Sequence, residues 1–196
     1  MKNLFRLTCL ACLLVSCVSS LYPLTENAKD IVFKHELIGR WKEVNGSAVY
    51  VVDTFNSDGS KIYKVMVLDY GNDKQVKDTS NFLVMLVNIK GHYFFDCMPD
   101  TSLSSFSKMS DVIRQITIPC HYIIKVYSID AGYIGLSAMD KDELALLLQN
   151  KKLSMKHEEI TKDNILITEK PDILKQKLMD LENSSVYKKD SLVKVN

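Results

Sequence analysis

The side chains able to do chemistry are few and scattered. Histidine occurs four times, at His35, His92, His121 and His157, and two of the five cysteines, Cys97 and Cys120, lie in the body of the chain. Asp96 and Asp100 flank the tripeptide "CMP", and paired carboxylates can act as general acid and base. His92, Asp96 and His121, spread over two predicted strands, are the candidate polar or catalytic set. No two histidines have the spacing of a helical metal pair, and Cys120 and His121, as strand neighbours, would point to opposite faces. The chain has no G-x-S-x-G elbow, no phosphate-cradling glycine loop and no H-E-x-x-H pair; "KHEEIT" lacks the second histidine. No metal and no cofactor is expected. An enzyme would have to gather His92, Asp96 and His121, and this is the weaker reading.

A further cysteine marks the N-terminal stretch. Lys2 and Arg6 precede the apolar run Leu7 to Val15, which falls short of the roughly 20 residues needed to span a bilayer. The following "LVSC", Leu14 to Cys17, resembles the lipobox of bacterial lipoproteins. The resemblance implies cleavage between Ser16 and Cys17 and lipidation of Cys17. It also implies attachment to the bacterial cell envelope, by default the outer membrane facing the periplasm, with surface exposure as an alternative. Two acyl chains hold a protein stably on a membrane, at about 0.8 kcal/mol per buried CH₂. The other reading is an ordinary secretory signal cut near Ser20. The chain thus divides into a leader, residues 1–16, and a lipidated cysteine with a polar tether, residues 17–35. A folded domain, residues 36–182, and a frayed polar tail, residues 183–196, follow. In an oxidising compartment Cys97 and Cys120 could form a disulfide; the alternative is two buried thiols.

The totals fit one domain with a real core: 196 residues, 46% hydrophobic and 25% charged. Lysine and arginine number 25 against 24 acidic residues, and the balance turns slightly negative once Lys2 and Arg6 leave. A near-neutral surface does not suit nucleic acid, which needs a basic face.

The elements that must position these residues read mostly as strands. "AVYVVDTF" (Ala48 to Phe55), "KIYKVMVLD", "FLVMLVNI" (Phe82 to Ile89), "HYFFDC", "HYIIKVYSI" (His121 to Ile129) and "YIGLSAM" are rich in β-branched and aromatic residues. Asp58-Gly59, Lys90-Gly91 and "DAG" supply the turns. "NILIT" (Asn164 to Thr168) adds a short strand. Such a meander predicts a mainly β fold, an antiparallel barrel or half-barrel, with short helices and a C-terminal helix. One helix opens at Asp140 with Glu143 three residues on, a capping box. The other has Pro171 in its first turn and a Leu174, Leu178, Leu181 stripe that should dock on the barrel. The connector Thr101 to Thr117 reads as a helix over a sheet edge or as a lid. Aromatic residues on alternating strand positions can fill the interior or line an apolar cavity.

"LIGRW" then gains meaning. Gly39-x-Trp41 looks like the G-x-W signature opening the first strand of lipocalin-like barrels. In order, "LIGRWKEVNG", "LVNIKGHYFFDCMPD", "IPCHYIIKVYSID", "ELALLLQNKK" and "DNILITEKPDILKQKL" resemble a family of uncharacterised bacterial lipocalin-like lipoproteins. The resemblance implies that Gly39 and Trp41 close one barrel end. In true lipocalins an arginine near the last strand packs on that tryptophan. Here the only arginine after Arg40 is Arg114, and Lys125 is the lysine considered in its place. The expected function is non-enzymatic: binding of a small apolar ligand, or interaction with an envelope protein. A purely structural envelope lipoprotein would read the same way.

Overall fold

In a computed structural model the described residues are 18–55, 60–71, 75–102, 118–161 and 164–195. Cys17, the Asp58-Gly59 turn and most of the Thr101–Thr117 connector, with Arg114, lie outside them. Eight strands form one closed antiparallel ring: β3 (Gly39–Glu43), β4 (Val49–Thr54), β5 (Ile62–Tyr70), β6 (Val76–Ile89), β7 (His92–Pro99), β8 (Tyr122–Asp130), β9 (Tyr133–Met139) and β12 (Tyr187–Val195). Each pairs with the next in chain order except β12, which inserts between β9 and β3 and completes the ring. The fold is therefore a closed eight-stranded barrel rather than a half-barrel.

Residues 183–195 are not the frayed tail that their polarity predicts. Leu192 pairs with Glu43 on one side and Ile134 on the other, so β12 is a stave with two partners. For the same reason the second helix is not the last element. Residues 18–35 are likewise not a free tether. Val18 is 1% exposed and opens β1 (Val18–Ser20), which runs parallel to β11 (Asn164–Ile167). Ser20 then bridges to His121, and β2 (Ile31–Val32) pairs with β6. The folded unit runs from Val18 to Val195 rather than from 36 to 182.

Strand alternation separates two cores. Val84, Leu86, Cys97, Ile124, Val126, Ile134, Leu136 and Leu192 point into the barrel beside Trp41 and Tyr63. Val87, Ile89, Phe94, Ile123 and Met139 point outward and are covered by a second layer. That layer consists of the small sheet β1–β11–β10, with β10 at His157–Thr161, and helices α1 (Lys141–Gln149) and α2 (Pro171–Asp180). The helix starts hold, although the capping box forms only in half, because the Asp140 amide donates to the Val186 carbonyl instead of to Glu143. The Asp140 carboxylate accepts from the Glu143 amide, and Pro171 starts α2. Leu174, Leu178 and Leu181 are buried in the outer core. The β6–β7 turn places Lys90 at φ 52° and Gly91 at φ 92°, the paired left-handed residues of a tight hairpin.

Candidate functional site

The barrel interior is built from the inward residues of all eight staves. An apolar cavity of about 70 Å³ remains within it. Its wall is apolar, from Val52, Val65, Phe82, Phe95, Ile124 and Leu136 among others, with the rings of Tyr50 and Tyr63 and the Cys97 thiol.

One end is closed by a plug. The segment before β3 turns through a short 3-10 helix, His35–Leu37, and the fully buried Trp41 donates from Nε1 to the Leu37 carbonyl at 2.8 Å. Phe33 stacks on Tyr63 at 4.9 Å, and the Tyr63 hydroxyl accepts the Lys34 amide at 2.6 Å. Across from Trp41, the register partner Lys194 places its ammonium 5.1 Å from the indole centroid. Gly39 makes room for that lysine. Its φ is +135°, and a Cβ there would lie 2.8 Å from Lys194 Cε. The cation on the tryptophan is thus Lys194 of β12. Lys125 instead binds the Glu182 carbonyl and faces the Tyr187 ring.

Two residues along β3 from Trp41, on the same inward face, lies Glu43. It is 2% exposed. Its Oε1 accepts the Tyr50 hydroxyl at 2.6 Å, and its Oε2 has no hydrogen-bond partner among the described residues. Burial pushes its carboxyl up to about 6; the Tyr50 hydrogen bond and the nearby Ala48 backbone amide oppose this, and the charges of Asp190 and Asp69 add to it. Tyr50 is held well above the usual phenol range, by burial and then by the Glu43 charge.

The expected polar set is brought together in part. His121 Nδ1 lies 2.6 Å from Asp96 Oδ1, both buried on the outer wall of the barrel. His92 is elsewhere and pairs with Glu182 at 2.7 Å. The second oxygen of Asp96 accepts the Leu24 amide at 2.6 Å. Asp96 therefore ties His121 to the N-terminal segment. Asp100 binds the Ser102 hydroxyl and amide at its own turn. Cys97 and Cys120 are free thiols. Cys97 points into the cavity, where burial raises its thiol and suppresses the reactive thiolate. Cys120 sits just before β8, with Sγ 3.7 Å from the Ile118 carbonyl.

Glu43 and Lys194 escape the sequence reading. Glu43 is in fact legible: it follows Trp41 by two positions, so any strand placing Trp41 inward places Glu43 inward too. Lys194 is hidden because nothing local marks its strand as paired. Among the described residues no group of side chains could hold a metal ion, and no helix is long and apolar enough to cross a membrane. No protein-family model, no curated protein and no solved structure matches the chain.

Proposed function

We propose that this chain is a lipid-anchored binding module of the bacterial envelope, joined to the membrane through Cys17, whose barrel takes a small apolar ligand. The observation that carries the binding half is the apolar cavity inside a closed barrel. Its size sets the ligand class. A cavity of about 150 Å³ with similar walls stays dry and admits benzene. At about 70 Å³ this one suits a few heavy atoms, not an acyl lipid. The lipocalin-like reading is supported by the buried Trp41, the glycine two residues before it and the lysine over its ring. The anchor rests on the lipobox-like "LVSC".

The test uses the leaderless protein with Cys17→Ser. Xenon pressure should raise the unfolding midpoint, and a cavity-filling Val65→Phe variant should lose the response; an unchanged midpoint under xenon refutes the cavity reading. The anchor is tested separately. Growth with an alkynyl fatty acid should label the full-length chain and leave Cys17→Ser unlabelled, whereas equal labelling of the two removes Cys17 from the proposal.

A second reading, acid–base catalysis, is favoured by the buried 2.6 Å contact of His121 with Asp96. The grip of Asp96 on the Leu24 amide gives the pair a structural task, and binding remains the better-supported function.

A further inference from the structure

We infer that the end of the small outer sheet at which β1 begins docks on a zwitterionic lipid bilayer, with Ile160 as the side chain that enters it. This rests on the lipid-anchor reading above and adds how the anchored body is held.

An anchor lets a protein stand only as far from the membrane as its tether reaches. Residues 18–35, fully extended, would allow up to about 60 Å. They are instead folded onto the body. Val18 is 1% exposed and pairs with Ile165 of β11. Ser20 exchanges two backbone hydrogen bonds with His121, both at 2.8 Å. Cys17 is one peptide bond from Val18, which sets their Cα atoms about 3.8 Å apart. Acyl chains on that cysteine can enter a bilayer only if the surface around the start of β1 comes down with them.

Strand register identifies this surface. β1 runs parallel to β11, and β10 runs antiparallel to β11. The start of β1, the start of β11 and the end of β10 therefore share one end of the sheet. Val18, Ile165 and Glu159 form one cross-strand row, and the next row toward that end holds Asn164 and Thr161, both exposed. Between Glu159 and Thr161 the register slips by one residue, Ile160. A bulge re-aims a side chain, and Ile160 is 60% exposed. Two strand spacings, about 10 Å, separate β10 from β1. An exposed isoleucine thus stands close to where the anchor enters.

Charge selects the kind of bilayer. Glu158 and Glu159 are exposed on β10, just behind Ile160. Lys162 and Asp163, which join β10 to β11 in sequence, cancel. Anionic headgroups would meet this acidic pair unfavourably, and zwitterionic ones would not. The short reach of the anchor and one apolar side chain then carry the contact.

The experiment uses the full-length chain, acylated in a bacterial host and reconstituted in phosphatidylcholine vesicles containing a doxyl-labelled lipid. An NBD dye is attached at Ile160→Cys or at Val76→Cys, each with Cys120→Ser. Val76 is the distant control. Val84 is level with Cys97 and Tyr122, next to the residue that Ser20 bridges, and Val76 lies eight residues back along β6, about 27 Å away. The dye at Ile160→Cys should lose most of its emission, and the dye at Val76→Cys should keep it. A linker of about 20 Gly and Ser residues after Cys17, with about 25 Å of mean reach, should restore the lost emission. Protein that floats with the vesicles but shows equal emission at the two sites overturns the docking and leaves the anchor standing. Quenching at Ile160→Cys that survives the linker overturns it too, because the missing tether would not be its cause. Protein that neither floats nor takes up a fatty acid removes the anchor and this inference together.

Discussion

Glu43 titrates with the opposite sign to a salt-bridged surface carboxylate. Its folded value, about 6, lies above the ordinary 4.5, so the native state binds the proton more tightly than the unfolded chain. Its contribution to stability is full below about pH 4.5 and is lost as pH rises through about 6. The shift corresponds to about 2 kcal/mol. Glu43→Gln should therefore flatten the fall in unfolding free energy between these pH values and be the more stable protein at pH 8. Denaturant titrations across the range check this, and parallel curves for the two proteins would contradict it. Trp41 belongs to the same strand face and is plainer to read. Its place two residues after Gly39 in "GRW" resembles a barrel-opening signature, and it is completely buried. Trp41→Ala should cost about 3–5 kcal/mol, measured by the same titrations; a loss near zero would contradict a core role. The lysine over its ring was beyond sequence reasoning, because the contact joins the first and last staves. The carbonyl that the same ammonium reaches, that of Glu36, is 158 residues away.

At the scale of elements, the strands that bury a full apolar face were legible. The reading "YIGLSAM" coincides with β9, and "FLVMLVNI" captures the buried half of β6. The missing half of β6, Val76 to Asn81, is exposed over nearly all its length, so no hydrophobic alternation reports it. β12 was missed for the same reason. In "YKKDSLVKV" only Leu192 is fully buried, and its neighbours are held by two ladders of backbone hydrogen bonds that side-chain type does not encode. β1 and β2 are too short for any period to show. Helices were the opposite case, since a cap, a first-turn proline and a leucine stripe are local signals. Removing β12 by a stop after Ser185 should open both β3 and β9 as free edges. We expect loss of cooperative unfolding and of dispersed amide resonances; a truncated chain that still melts in one sharp step would show that the ring does not depend on this stave.

The molecule as a whole is a barrel with a second layer fastened to one side of it. The fastening begins at Val18, one residue after the cysteine proposed to carry lipid, and continues through Ser20 on His121 and Leu24 on Asp96. Two of the candidate polar residues, Asp96 and His121, thus hold the segment Ser20 to Leu24 against the wall, while His92 pairs with Glu182. The barrel has a further property that follows from the order of its staves. β12 lies between β3 and β9 in space but comes after every other stave along the chain. Until its residues are available, seven strands can at most form an open, curled sheet with two unsatisfied edges. Pairing over such a sequence separation is also intrinsically slow. A ribosome therefore handles an unfinished sheet for nearly the whole of the chain's synthesis. The ring locks only once the last stave has emerged.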